Sequence, residues 1–591
     1  MPRISLKNAP EIFVSTKAMS AGVSRAVAAG KLRRLGFRLY TNNLTEDPAS
    51  LIRRRLWDVA AGFFPGGLVA DRTALELAPA SDGSVFLVAP RGGNIVLPGV
   101  TLRARRGAGP QPDDFTLRDD LYCMSTARAL LENMRPTRAR SGVSRTLRRA
   151  EIETWLERFL RNSGKDRLNA LRDQIKAIAP KLKLEDAAHQ LEDIIGTLLG
   201  TRHAPLKSPT ARARARGVSF DPGRLETFQK LHDALRHFPP EPVRPYRPLG
   251  RAAAIQAFFE AYFSNFIEGT EFAVEEARAI VFDGVIPRNR PADAHDVIGT
   301  FRLTSDAKEM RRVPRSPDEF LTLLRHRHQI IMEKRPDASP GEFKSEANRF
   351  GSFTFVAPED VHGTLIEGFR IYQRLTEPLH RAIFMMFLVS EVHPFADGNG
   401  RIARIMMNAE LAAAEQTRVL IPIVYRSNYL SALRALSANA WPEPIIKTLA
   451  FAQRYVAAVP WDDLTTAIVV LARSNAFVRP DEGDDKGIRL RIPDPADIAA
   501  AEEGAQSLAF DPGHTRDVDD SIVFWANDGA KRVRFRIERR TLDDYFSEGD
   551  KLRYEAAFKK HRADIEALAR RQYLLGSRQP DGSVLVSVQA P

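Results

Sequence analysis

The chain has 591 residues, 44% hydrophobic and 27% charged, with a net charge of +13 and an isoelectric point near 9.8. This length suggests about three to five structural units, and the composition is that of a globular protein able to bury several cores. One cysteine, Cys123, excludes an internal disulfide and a thiolate metal cage. No apolar run reaches the ~18 residues of a membrane helix, and no signal-peptide core opens the chain, so a cytoplasmic protein with no membrane partner is expected.

The arginines cluster at 33–38, 103–106, 135–149 and 212–216, all in the first 220 residues, where a nucleic acid or other acidic partner would be met. Residues 10–135 are expected to open with a short helical stretch, a turn at Ser20–Ser24 and a second helix. Strand-like alternation then closes Lys31–Tyr40. Helix, turn, helix and basic strand are the parts of a winged helix-turn-helix. With the segment Ser125–Glu132, the region resembles the N-terminal domain of AbiEi-type antitoxins and related regulators. The resemblance implies a winged-helix α/β domain over 1–140, used to bind DNA or to contact another protein.

Residues 141–201 read as helical, with Ile152, Trp155, Leu156, Phe159 and Leu160, then Leu168, Leu171, Ile175 and Ile178, as core stripes. Residues 202–222, rich in Pro and Ala and carrying Arg212, Arg214 and Arg216, read as an exposed basic linker.

From 223 to about 494 the sequence turns chemical. Phe258–Thr270 has aromatics at helical spacing, places Ser264 and Glu268 on one face, and meets a helix-ending Gly269. The alternation in Arg349–Val356 predicts a hairpin. His326 and His328, two apart on a predicted helix, diverge and read as structural. The apolar run Pro378–Val392 predicts a buried helix, followed by His393-Pro394-Phe395-Ala396-Asp397-Gly398-Asn399-Gly400-Arg401-Ile402-Ala403-Arg404. A helix beginning just after a glycine-rich loop points its free N–H groups into that loop, where they can receive phosphate oxygens. His393 then suits a general base, Asp397 a Mg2+ ligand, and Arg401 and Arg404, on one face with Asn408, charge neutralisers. Taken alone, the same loop is also an ordinary helix–loop–helix corner with solvated arginines.

The string from His393 to Arg404 resembles, position by position, the Fic family motif HPF-x-[D/E]-GNGR-x-x-R. The resemblance implies an all-α Fic domain with a β-hairpin flap that holds a target segment as an added strand. It also implies transfer of AMP from ATP to a hydroxyl side chain of a protein, with release of pyrophosphate. His393 would take the hydroxyl proton and Asp397 would hold Mg2+. Gly398, Asn399 and Gly400 would form the anion hole, with Arg401 and Arg404 on the outer phosphates. Ser264, Glu268 and Gly269 look like the inhibitory [S/T]-x-x-x-E-[G/N] motif of many Fic proteins, which would set Glu268 against Arg404. Asn428 and Tyr429 match positions that line the family's nucleotide pocket.

Residues 504–591 read as a small α+β unit resembling a bacterial domain family of unknown function. Strands are expected at Ile522–Trp525 and Val533–Ile537 across the Asn527-Asp528-Gly529 turn, with a helix over Leu552–Tyr573 and a last strand through Val584, Leu585, Val586 and Val588. The acidic run Asp481–Asp485 lacks calcium-loop spacing and reads as a solvated loop. The whole is a multidomain, mainly α chain read as an adenylyltransferase restrained by Glu268. Two alternatives stand beside it: a DNA-binding regulator whose Fic domain senses nucleotide or a partner, and a Fic transferase with another nucleotide donor. A homo-oligomer stays open.

Overall fold

The computed structural model describes residues 9–139, 142–239, 242, 244–351, 353–517, 521–529, 531–546, 554–576, 578, 579 and 581–587. The chain divides into two compact units, Met1–Ser219 and Phe220–Pro591.

The first unit opens with β1 (Ile12–Val14), α1 (Ser20–Ala28) and the hairpin of β2 (Arg33–Gly36) and β3 (Leu39–Thr41). Both β1 and β2 pair antiparallel with β3. Two corrections to the sequence reading fall here. The expected first helix is instead β1, because Ile12 to Val14 are better satisfied by pairing with β3. The expected turn at Ser20–Ser24 is the start of α1, anchored by buried Val23. Next come α2 (Pro48–Arg54), α3 (Leu56–Phe63), β4 (Leu68–Val69), α4 (Asp71–Glu76), β5 (Ser84–Val88), β6 (Gly93–Leu97), β7 (Val100–Arg105), β8 (Phe115–Arg118), β9 (Leu121–Cys123) and α5 (Thr126–Asn133). Strands β4 to β9 form one mixed sheet, ordered β6-β7-β5-β4-β9-β8.

Helices α6 (Arg149–Leu182) and α7 (Glu185–Leu198) bury the anticipated stripe of Ile152, Leu156, Leu160, Leu168, Leu171 and Ile175. The stretch expected as an exposed linker contains α8 (Pro209–Ala215). Ser208 caps it, Ala211 is fully buried, and Arg214 Nε lies 2.9 Å from Glu157 of α6. Glu153 of α6 also accepts the N–H groups of Lys207 and Ser208, so these carboxylates hold in place a segment whose composition suggests a tether.

The second unit contains α9 (Pro222–His237), α10 (Gly250–Ile267), α11 (Val274–Phe282), α12 (Pro291–Ser305), α13 (Pro317–Ile331), the hairpin β10 (Arg349–Phe350) and β11 (Phe353–Thr354), α14 (Pro358–Tyr372), α15 (Pro378–Val392) and α16 (Asn399–Ala413). Ser352 of the predicted hairpin lies outside the described residues. Helix α15 is the pillar of this unit: every residue from Ala382 to Val389 is 0% exposed. Such an apolar helix is stable only when other elements surround it. Here α9, α14, α16 and α18 (below) supply them.

The chain continues through α17 (Arg426–Asn439), α18 (Glu443–Ala457), α19 (Leu464–Arg473), α20 (Pro480–Lys486) and α21 (Pro495–Ser507). The acidic run read as a loop is α20, where Pro480 suits a first helical turn and Lys486 pairs with Glu482. The C-terminal part is α+β, with β12 (Leu508–Arg516), β13 (Ile522–Asp528), β14 (Lys531–Ile537), α22 (Arg539–Tyr545), α23 (Tyr554–Lys560), α24 (Arg562–Leu574) and β15 (Val584–Val586). Strand β12 was not anticipated. The single helix expected over 552–573 breaks at His561 into α23 and α24, and Leu552 and Val588 lie outside the described residues. Arg571 of α24 pairs with Glu275 of α11, and Arg473 donates to the Leu574 carbonyl, so this part is docked on the helical body. Among the described residues, no helix is long and apolar enough to cross a membrane.

Candidate active site

Three packed elements build the site. Helix α15 ends at Val392, and His393 caps it in the left-handed region at φ 53°. The chain then turns through Pro394–Gly398 into α16, whose first helical hydrogen bond runs from Ile402 N–H to the Gly398 carbonyl at 3.0 Å. The N–H groups of Asn399, Gly400 and Arg401 therefore precede the helical ladder, at the electropositive end of α16. Helix α10 lies across that end and delivers Ser264 and Glu268.

The loop is tightly braced. Asn399 spans it with its side-chain amide, accepting the Phe395 N–H at 2.9 Å and donating to the Phe395 carbonyl at 2.9 Å. His328 braces it from α13. The Gly341 N–H donates to Nδ1 at 2.9 Å, so the ring proton sits on Nε2 and is donated to the Asp397 carbonyl at 3.0 Å. The ring also stacks on Phe395 with centroids 3.7 Å apart. His328 is buried and makes these contacts, whereas His326 is exposed. Supporting this particular loop is a role that helical spacing could not reveal.

His393 stacks on Phe355, just after β11, at 3.8 Å. Its Nδ1 lies 3.3 Å from the Ser390 carbonyl. A carbonyl only accepts, so this contact places the proton on Nδ1 and leaves the Nε2 lone pair available as a base. Burial pushes the imidazole down to about 4, opposed by the Ser390 carbonyl, so the ring is neutral near pH 7.

The arginines are inside, not solvated. Arg401 is 2% exposed and its Nη1 lies 2.6 Å from Asp296 of α12. Arg404, 5% exposed, donates to Ser264 Oγ at 3.0 Å, to the Ser264 carbonyl at 2.8 Å and to Glu268 Oε1 at 2.7 Å. Burial opposes the Arg404 charge, but the Glu268 carboxylate holds its pKa above the ordinary guanidinium range. A Cβ added at Gly400 would collide with Glu268 Oε1. The carboxylate thus lies directly against the anion-receiving end of α16, and only glycine permits that approach. Gly269, at φ 94°, turns the chain away after Glu268. Asn408, on the same face of α16, donates to Glu260 and to the Val419 carbonyl, each at 2.9 Å.

Asp397 is half-exposed, with a side chain 48% accessible. One oxygen accepts the Gly398 N–H at 2.6 Å, and the other lies 3.4 Å from Arg335, which also reaches Asp296 at 3.2 Å. Among the described residues, no group of three or more His, Cys, Asp or Glu is placed to hold a metal unaided. An ion here would rest on Asp397 and substrate oxygens, the arrangement Mg2+ ordinarily takes with phosphates. Tyr429 is buried, with its pKa raised by burial, and reaches Arg404. Asn428, next to it on α17, is exposed and lines a separate surface groove with Trp441 and Lys447. Asp296, Asn265 and Arg335 escaped the sequence reading because nothing local distinguishes them: Asp296 and Asn265 reach Arg401, and Arg335 reaches Asp397, across 105, 136 and 62 positions of chain.

Both buried imidazoles make the unit acid-sensitive. Burial also holds His328 down to about 4, against an ordinary 6.5. Between those values the unfolded chain takes up protons that the folded one refuses, so stability is full above about pH 6.5 and declines toward pH 4, by at most about 3 kcal/mol per group. The melting midpoint of this unit is expected to fall between pH 6.5 and 4.5. His328→Gln should make that fall shallower, and an unchanged slope would remove His328 as a source.

Comparison with known proteins finds matches over parts of the chain. Residues 320–411 match the profile of the Fic/DOC family, and residues 510–586 match that of a protein family of unknown function, DUF1488. Protein adenylyltransferase fic-1 of Caenorhabditis elegans is 26% identical over 282 residues, which are 45% of this chain and 52% of the relative. Protein adenylyltransferase Fic of Drosophila melanogaster is 25% identical over 225 residues, covering 36% and 44%. The chain thus spans about half the length of the curated relatives it matches. Among solved structures, Fic-1 (residues 134–508) of C. elegans is similar with a TM-score of 0.30 at 19% identity, over 51% of this chain and 89% of that one. A Fic domain containing signaling protein of Bacteroides thetaiotaomicron also has a TM-score of 0.30, at 21% identity, over 41% and 96%. Through residues 320–411, which include the braced loop and most of α16, the chain contains a Fic domain of the Fic/DOC family.

Proposed function

We propose that the chain is a protein adenylyltransferase, transferring AMP from ATP to a Ser, Thr or Tyr hydroxyl of a target protein. The observation that carries this reading is the placement of a neutral His393, with Nε2 free, at the mouth of an anion-receiving helix end. His393 Nε2 accepts the hydroxyl proton as the oxygen attacks the α-phosphorus. The bond between that phosphorus and the bridging oxygen to the β-phosphate breaks, and pyrophosphate leaves with the electron pair. The N–H groups of Asn399, Gly400 and Arg401 receive phosphate oxygens, and Arg401 and Arg404 offset outer-phosphate charge. Mg2+ held by Asp397 and the phosphates would supply further charge neutralisation when bound. The exposed edge of the β10–β11 hairpin suits a target segment added as a strand. Tyr429 is the better placed of the two nucleotide-pocket candidates, Asn428 facing elsewhere.

Glu268 is the brake in this reading. Arg404 cannot hold both its carboxylate and an outer phosphate, so ATP binds productively only when Glu268 withdraws. The domain plan that goes with it is an N-terminal unit for addressing or regulation, a Fic domain from about 223 to 494, and an accessory C-terminal unit in a cytoplasmic protein. The test of the donor is to supply the Glu268→Gly protein and a cell extract with ATP radiolabelled at either the α- or the γ-phosphate. Protein-bound label is expected from α only, at least about tenfold above wild type, equivalent to about 1.4 kcal/mol. Label from γ would replace AMP transfer by phosphoryl transfer. No label from ATP but label from another α-labelled nucleotide would keep the chemistry and change the donor.

A second reading has its own observation. Between Glu11 and Glu46, which both accept from Asn43, the chain carries Lys17, Arg25, Lys31, Arg33, Arg34 and Arg38 and forms β1, α1 and the β2–β3 hairpin. Such a surface fits the phosphate backbone of DNA, and the chain would then be a regulator whose Fic domain senses nucleotide or a partner. The full-length protein is expected to shift duplex DNA at low salt and lose it steeply as salt rises. Absence of a shift at 50 mM salt would count against this reading.

A further inference from the structure

Lys344 lies between the Gly341 turn and the flap strand β10, and is 6% exposed. Among the described residues, no carboxylate lies within ion-pair distance of it. A buried ammonium without a counter-charge is costly, so the groups this lysine touches matter. What it touches is the turn that holds His393. Its backbone N–H donates to the Pro394 carbonyl at 2.9 Å, and its Nζ reaches the Val392 carbonyl at 3.5 Å. One residue therefore holds the carbonyls on both sides of His393.

Two physical facts make that hold consequential. The Val392 carbonyl belongs to the last residue of α15, where carbonyls lack helical partners and the helix dipole favours a positive charge. His393 has a left-handed backbone, a strained conformation for a residue with a side chain that persists only where its surroundings impose it. The Nζ also lies 6.0 Å from the centroid of the Phe355 ring, and that ring stacks on His393. The clamp therefore acts on the backbone of His393 directly and on its ring through Phe355.

We infer that Lys344 is a positioning residue for the base: it fixes the left-handed turn that aims His393 Nε2, and it joins that turn to the root of the flap. The inference rests on the transferase reading above. Burial lowers Lys344 to about 8, so the cation is present near pH 7. Its charge is also one of the influences holding His393 neutral, after burial itself, while Glu268 and Asp397 pull the other way.

The test uses the full chain with Glu268→Gly as parent, carrying either Lys344→Met, which keeps the stem without the charge, or Lys344→Arg. Lys344→Met is expected to lower kcat for AMP transfer roughly 10- to 100-fold, the scale of a small misplacement of a catalytic group. KM for ATP should stay within about twofold, and Lys344→Arg should recover most of the loss. A Met variant with parental kcat, or a loss the Arg variant does not recover at all, would overturn the inference. Nitrogen-15 NMR of the histidine rings, with His393 assigned by His393→Asn, decides the matter independently of turnover. The parent and the Arg variant should show the Nδ1-protonated tautomer at His393 and the Met variant a mixture; identical spectra would overturn the clamp. If the parent transfers nothing, the transferase reading fails, while the NMR comparison still decides what Lys344 does to His393.

Discussion

A guanidinium buried at Arg404 is stabilised by the anion beside it, and much of the site is arranged around that pair. Arg404 is 5% exposed and ties α16 to α10 through Ser264 and Glu268. Only the guanidinium of this pair is buried: the Glu268 side chain is 33% accessible, so the carboxylate sits at the solvent side of the contact. Either Glu268 or an incoming phosphate can supply the anion, and Gly400 leaves space at the helix end for one such group at a time. In the proposed reading, competition between Glu268 and the nucleotide would follow from this packing. The neighbouring guanidinium is balanced differently, since Arg401 faces the buried Asp296, which has no comparable route out of the core.

Rigidity around the base has a similarly simple origin. The end of α15 cannot move without disturbing a helix buried on all sides, so Val392 is a fixed point. From there the loop is held by His328 on the Asp397 carbonyl, by Asn399 across Phe395, and by Lys344 on both neighbours of His393. In the proposed reading, a base aimed by this many contacts would lose little orientational freedom when a hydroxyl arrives, which is where catalysis by positioning draws its advantage.

Much of this centre was legible in the sequence. The predicted helix Pro378–Val392 has those bounds in the structure, and the spacing of Ser264 and Glu268 placed both on the face that meets Arg404. Local periodicity and a glycine-rich turn encode such features directly. The supports did not appear because they come from distant elements. Asp296 meets Arg401 across 105 positions of chain, and His328 meets the Asp397 carbonyl across 69. The same limit explains the N-terminal errors: Ile12–Val14 is a strand only because β3 is there to pair with it, and Pro209–Ala215 is an ordered helix only because Glu153 and Glu157 of α6 receive it. In each case the partner, not the segment, decides the structure.

The most direct measurement is the intact mass of purified wild-type, Glu268→Gly and Glu268→Gly/His393→Ala proteins after incubation with ATP and Mg2+. Adducts of one AMP on the Glu268→Gly protein, with none on the double variant and few on the wild type, are the predicted result. They would tie the chemistry to His393 and the restraint to Glu268 in one experiment. Equal adduct levels on all three would contradict both assignments, and no adduct on any of them with any nucleoside triphosphate would contradict the transferase itself.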